Sequence, residues 1–285
     1  MKNILIIGNS HSVDGFQLLN EVFRTQQPEE EYILGISYHS GCSITQHIGF
    51  ARTGAPEVDF YKNVRGEWSI IRNTTEQVIL ESEAWDTVFL QAAKSDLDDT
   101  LNLAGRRELE AIVCEHLPTP PCFMWHTSWP SPNDEYFFSD QAAKPAPAGY
   151  KDRLIEMFGF DPLNQITVLM NKAKDHILGD STYAKAVCTG AGIINAYLVQ
   201  GCSQREIWRD YTHLTDFGRM IAAHTMYAQL TGKPLEAVKI DTVPTVLRQK
   251  RFQPLGDLTV TEEMKEIILR AANAALADPW TPPVR

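Results

Sequence analysis

Two rhythms of apolar residues alternate along the chain. Short unbroken apolar runs, rich in β-branched residues and closed by turn formers, read as buried strands. They fall at Ile4–Ile7, Tyr32–Ser37, Thr87–Gln91, Cys122–His126 and Tyr183–Cys188. Between them apolar residues recur every three or four positions. Phe16, Leu19, Val22 and Phe23 give a helix over about Asp14–Arg24. A second helix covers about Gly105–Leu117 and is stopped by Pro118, Pro120 and Pro121. Others are expected over about Pro162–Leu178, from near Ala191, over Thr215–Thr231 and over about Thr261–Ala277. Thr215 and Gly232 suit the two ends of the fifth, and Glu262 and Glu263 suit the start of the last. Five strands separated by helices predict an α/β fold: a five-stranded parallel sheet covered on both faces, three-layer α/β/α, with right-handed crossovers.

Two stretches break the rhythm. About Gly49 to Thr75 has mixed polarity and reads as an insertion of loops and short pieces. Ser128 to Gly149 is proline-rich and carries the aromatic cluster Tyr136-Phe137-Phe138. It reads as a lid over residues 128–150, or as a solvated excursion whose aromatics are pinned to the core. No shift in composition marks a second domain, so residues 1–285 are taken as one, with a helical extension from about residue 233.

Composition narrows the classes. At 44% hydrophobic residues the chain can bury a large core. Asp and Glu total 36 against 26 Lys and Arg, a net charge of −10, and no basic run is present. Nucleic acid and anionic membrane are therefore poor partners. No secretory or membrane-spanning run is visible. Five cysteines without CxxC spacing fit reduced thiols, so a cytoplasmic location is expected. No metal-ligand motif appears, and no cofactor is implied.

Candidate chemistry collects at strand ends. Ser10 follows the first strand at a turn into a helix, Gly41 follows the second, and Gln91 ends the third. Asp210-Tyr-Thr-His213 follows the fifth. In a parallel sheet such ends share one edge, where ligands collect. A serine needs an adjacent base to act near neutral pH, and histidine titrates close to that range. Asp210, three residues before His213, can hold Nδ1–H and leave Nε2 for the serine proton. The Ser10 and Gly41 N–H groups and the Gln91 amide are candidate oxyanion donors. Each piece alone has a plainer reading: Gly-Asn-Ser as a turn or cap, Asp-x-x-His as a surface pair. Their conjunction, in this order, favours the triad.

The remaining candidates rank lower. His11 and His39 flank the cleft and read as substrate contacts or as polar loop residues, and His126, at the end of the fourth strand, is a candidate to line the substrate pocket. His47, His116, His176 and His224 are read as structural, Ser12 as a capping or loop residue, and Cys42 as a small residue packed under its loop.

These residues resemble the blocks of the SGNH (GDSL-type) hydrolase superfamily. Ile6-Ile7-Gly8-Asn9-Ser10 is similar to the block in which Gly-Asp-Ser carries the nucleophile, with Asn9 in place of Asp. Gly41 in Ser40-Gly-Cys-Ser43 resembles the second block's glycine, and Asp210-Tyr-Thr-His-Leu214 resembles the last block. Together with Trp85-Asp-Thr-Val-Phe-Leu-Gln91 they look like a bacterial branch of that superfamily. The third block departs: Leu90-Gln91-Ala92-Ala93 stands where Gly-x-Asn-Asp is usual, so Gln91 either replaces the Asn donor or is structural. The resemblance implies a flavodoxin-like, three-layer α/β/α SGNH-hydrolase fold and a serine esterase acting on a small acyl ester, such as acetyl on a carbohydrate. Acyl transfer to a sugar or other alcohol, and a catalytically weak ligand-binding module, are the alternatives.

Overall fold

The computed structural model of the chain describes residues 2–91, 100–243 and 258–283. They fall into two compact units. The first comprises Met1–Phe16, Asn20–His126 and Asp175–Ala186; the second comprises Gln17–Leu19, Thr127–Lys174 and Val187–Arg285.

The first unit carries a seven-stranded, mostly parallel sheet. Its centre is β1 (Lys2–Gly8), where Ile4 to Ile7 have no polar face and are all buried. It pairs in parallel with β2 (Tyr32–Tyr38) on one side and β5 (Thr87–Leu90) on the other. β5 pairs in parallel with β6 (Cys122–Thr127), and β7 (Tyr183–Cys188) completes that side. The order β2-β1-β5-β6-β7 is the one flavodoxin-like doubly wound sheets use.

The expected count of five parallel strands is corrected to seven. β3 (Val58–Val64) and β4 (Glu67–Thr74) form an antiparallel hairpin added beside β2, inside the stretch read as loops. β4 is the sheet edge and is exposed along most of its length, Ile70 and Ile71 included. A strand with no buried face lacks the alternation that marks a half-buried one. Its edge is guarded by charge: Arg72 Nη1 lies 2.6 Å from Asp59 Oδ2 on β3.

The helices differ from expectation mainly at their ends. One helix over Asp14–Arg24 becomes α1 (Ser10–Phe16) and α2 (Leu19–Gln26), separated by a turn at Gln17 and Leu18. α1 starts at Ser10 because Asn9 caps it. A further helix, α3 (Ile44–Thr53), opens on a capping box between Ser43 and Gln46. It packs with α4 (Glu76–Leu80) and α5 (Thr100–His116).

The second unit is helical. α6 (Tyr150–Phe158) and α7 (Pro162–Ala173) precede α8 (Thr189–Leu198), α9 (Gln204–Ile207), α10 (Asp216–Thr231) and α11 (Glu262–Ala277). α8, α10 and α11 pack on one another through buried residues such as Ile193, Met220 and Ile268. The backbone after β6 is tied to this core by two buried amides. Gln165 Oε1 accepts from Ser131 N–H at 2.8 Å, and Gln204 Oε1 accepts from Asn133 and Asp134 N–H, both at 2.8 Å. Trp129 and Phe137 are buried there. A short antiparallel pair, β8 (Thr242–Val243) with β9 (Leu258–Thr259), stands before α11. Among the described residues no helix is long and apolar enough to cross a membrane.

Candidate active site

In the first unit the chain leaves the central strand at Gly8 and turns at Asn9. The Asn9 side chain does two things. Its Oδ1 accepts from His11 N–H at 3.1 Å, capping α1, and its Nδ2 donates to the Cys42 carbonyl at 3.1 Å. An aspartate could make the first bond but not the second. Ser10, the first residue of α1, is only partly buried. Neither its N–H nor its hydroxyl has a hydrogen-bond partner among the described residues of that unit. His11, the next residue, is buried.

Gln91 is buried at the end of β5, and its oxygen is committed to the turn. Oε1 accepts from Asn9 N–H at 3.2 Å and from the Ser12 hydroxyl at 2.8 Å. The backbone N–H can only donate, so the amide orientation is set by the bonding itself. Ser12 thus ties α1 to β5. The packing is tight: a Cβ on Gly8 would stand 2.3 Å from Ser12 Oγ and 2.7 Å from Gln91 Oε1, so only glycine fits.

Gly41 lies on the exposed loop after β2 with φ of +65°, the left-handed region that favours glycine. The Asn9–Cys42 bond ties this loop to the Ser10 turn. Cys42 itself is buried. Among the described residues of the unit the Gly41 N–H is unbonded, as is that of Ser10.

In the second unit Asp210 and His213 form a closed turn. His213 Nδ1 lies 2.9 Å from each Asp210 carboxylate oxygen. Asp210 Oδ1 also accepts from the Thr212 and His213 backbone N–H groups, at 2.9 and 2.8 Å. Burial works against the Asp210 charge. The His213 hydrogen bond and charge, with the two backbone donors, outweigh it and hold the carboxyl below the usual carboxylate range. The turn is clasped from outside: Trp129 Nε1 donates to the Thr212 carbonyl at 2.9 Å, and Tyr150 packs edge-on against Tyr211 at 4.7 Å. Lys144 Nζ lies 3.6 Å from Asp210 Oδ2 and over the Tyr211 ring. Thr215 then caps α10.

Ser10, His11, Gly41, Gln91 and His126 therefore belong to the first unit, and Asp210 and His213 to the second. His126 ends up inside the first unit, 1% exposed, against the edge of Phe16. Burial pushes its pKa down to about 3, so its ring is neutral. Sequence reasoning missed what the Asn9 amide and the Gln91 oxygen do, and it missed a buried His47–Glu76 pair against the Gly8 carbonyl. Among the described residues no group of three or more His, Cys, Asp or Glu is placed to hold a metal ion.

No family model and no curated protein matches the chain. Among solved structures it is similar to a DUF4886 family protein from Bacteroides uniformis, at 22% identity and a TM-score of 0.73, over 99% of this chain and 97% of that one. Weaker matches include a gut microbial diltiazem-metabolizing enzyme, at 12% identity and a TM-score of 0.47, over 85% of this chain and 48% of that one. Another is a catalytic mutant of an acetylxylan esterase from Geobacillus stearothermophilus, at 13% identity and a TM-score of 0.43, over 78% of this chain and 90% of that one. The Bacteroides structure shares the fold of this chain along nearly its whole length.

Proposed function

We propose that the protein is a serine esterase of the SGNH type, with Ser10 as nucleophile, His213 as general base and Asp210 as its orienting acid. The observation that carries this reading is the Asp210–His213 pair. A buried, ionised carboxylate holds Nδ1–H from both oxygens, which leaves Nε2 as the lone-pair nitrogen. The partly exposed Ser10 hydroxyl, unengaged within its unit at the end of the central strand, supports the nucleophile. The Ser10 and Gly41 N–H groups, unbonded among the described residues of their unit, support a two-donor oxyanion site.

In this scheme Ser10 Oγ attacks the ester carbonyl carbon while its proton passes to His213 Nε2. The carbonyl oxygen becomes the oxyanion and is held by the two backbone donors. The bond from carbon to the alcohol oxygen then breaks, and Nε2 returns its proton to that leaving oxygen. Water attacks the acyl-serine carbonyl carbon and gives a proton to Nε2; the bond from carbon to Ser10 Oγ then breaks, Nε2 returns that proton to Oγ, and the acid is released. The residues require no metal or organic cofactor. The resemblance to SGNH hydrolases favours a small acyl group, such as acetyl on a carbohydrate, as substrate. The five free thiols support a reducing, cytoplasmic location.

The test is Ser10→Ala, which should keep the fold and abolish turnover of a short-chain aryl ester. An organophosphonate probe should label Ser10 in the parent protein and nothing in the variant. Undiminished turnover in Ser10→Ala would overturn the assignment.

A further inference from the structure

Against the Ser10 turn lies a buried charged pair that the hydrolytic scheme does not use. The side chains of His47 on α3 and Glu76 on α4 are 1% and 2% exposed. His47 Nδ1 lies 2.5 Å from Glu76 Oε1, and its Nε2 lies 3.1 Å from the Gly8 carbonyl oxygen. Both ring nitrogens therefore face oxygens, one of which can only accept. The Ser37 hydroxyl donates to the other carboxylate oxygen, Oε2, at 2.7 Å, so both Glu76 oxygens act as acceptors. A ring that donates to both of these oxygens carries two ring protons. Burial alone would lower the imidazole pKa. The Glu76 charge, with hydrogen bonds to Cys42 and Glu76, pushes it instead up to about 10. Glu76 on α4 and the Cys42 thiol on the loop after β2 are the titratable groups acting on the ring.

The Gly8–Asn9 peptide is thus gripped on both edges. Its carbonyl receives His47 Nε2–H, and its N–H is held by Gln91 Oε1 at 3.2 Å. That peptide sets where Ser10 stands. The same cluster reaches the second backbone donor, since Cys42 follows Gly41 and binds Asn9 through its carbonyl. We propose that His47, kept as an imidazolium by Glu76, is the positioning residue of the serine site: it fixes the Gly8–Asn9 peptide, and hence Ser10, and keeps a positive charge in the scaffold that carries both oxyanion donors. This rests on the serine-esterase reading of Ser10.

The charge state is read first, by ¹⁵N NMR of the full-length protein labelled at histidine, with His47→Gln assigning the signals. Both His47 ring nitrogens should stay at protonated shifts to about pH 8.5. A neutral tautomer there overturns the proposal. The second arm measures kcat on an aryl ester and the rate of phosphonate labelling of Ser10 against pH. In the parent protein both rates should fall through the pH at which NMR sees His47 deprotonate. Glu76→Gln keeps the shape and removes the charge. It should move that fall downward by at least about one pH unit and cut kcat roughly tenfold at pH 8, with KM changed less than about threefold. A folded Glu76→Gln protein with unchanged kcat and pH profile overturns the proposal. If that variant does not fold, labelling of the parent protein that stays flat through the His47 titration overturns it. Loss of the hydrolytic reading is distinguishable. Ser10 would then take up no probe and Ser10→Ala would change nothing, and the role given to His47 falls with it whatever the ring's charge.

Discussion

Stability of the first unit should decline with rising pH because of one proton. His47 has a folded-state pKa raised to about 10 from an ordinary 6.5. Its contribution is fully present below about pH 6.5, where both states hold the proton, and is lost as pH rises toward 10. In between, the folded chain holds a proton the unfolded chain has released, so stability falls by about 1.4 kcal/mol per pH unit. The buried groups shifted by desolvation act outside the lower part of this window. Burial lowers His126 to about 3 and His224 to about 4, so those rings act on stability only below about pH 6.5. Burial raises Cys188 to about 12 and Cys202 to about 11, so those thiols act only above the ordinary thiol range. Urea unfolding followed by tryptophan fluorescence at about pH 7 and about pH 8.5 should therefore show a loss of roughly 2 kcal/mol in the parent protein. That is a sizeable part of the 5–15 kcal/mol typical of a domain. His47→Gln should be less stable at pH 7 and nearly flat across the interval. Equal parent stabilities at the two pH values would refute the charged ring.

Asn9→Asp restores the residue usual in SGNH first blocks, yet it should destabilise this protein. A carboxylate would face the Cys42 carbonyl in a buried turn, costing about 1–3 kcal/mol for the lost hydrogen bond alone. The loss should shrink at about pH 4, where the introduced carboxyl is protonated and can donate, and thermal melts at two pH values would detect it. Gln91→Leu leaves the buried Asn9 N–H and Ser12 hydroxyl without their acceptor, an expected loss of roughly 2–4 kcal/mol in chemical denaturation. Asp210→Asn should leave His213 in the wrong tautomer and cut kcat by roughly 10⁴-fold with little change in KM, measured on an aryl ester.

The legible part of the fold is the part that is buried on a pattern. β1, β2, β5, β6 and β7 stand where short apolar runs are bounded by turns, and α10 and α11 are capped at Thr215 and Thr261. The β3–β4 hairpin is hidden from such a reading because its outer strand has no buried face to imprint a period. α1 begins at Ser10 rather than near Asp14 because its cap, Asn9, also reads as a turn residue. Within the site, the three-residue spacing of Asp210 and His213 makes a local turn, and local turns can be read from spacing. His47 and Glu76 lie 29 positions apart on different helices, and no linear pattern joins them. Only folding brings them to the Gly8 carbonyl.

Asn9 and Gln91, the two departures from the SGNH blocks, are best understood together. Gln91 spends its carbonyl oxygen on Asn9 N–H and Ser12, so that oxygen is a strut for the Ser10 turn. Asn9 in turn spends its amide on the Cys42 carbonyl, which ties the Gly41 loop to the same turn. Both are neutral amides that bond across two strand ends, and at position 9 a carboxylate would have lacked the donor. A scheme that relies on two backbone donors and no side-chain donor forgoes roughly 100–1,000-fold in rate. In the proposed scheme the protein meets part of that loss by rigidity. The peptide before Ser10 is held by His47 and Gln91, and the loop carrying Gly41 by Asn9, so the two remaining backbone donors are fixed before any charge develops on the substrate. A site built this way should gain more from tightening its frame than from a third donor. Gln91→Asn, which shortens the strut by one methylene, should accordingly lower kcat rather than raise it, and a faster Gln91→Asn enzyme would mean that the missing donor, not the frame, limits the rate.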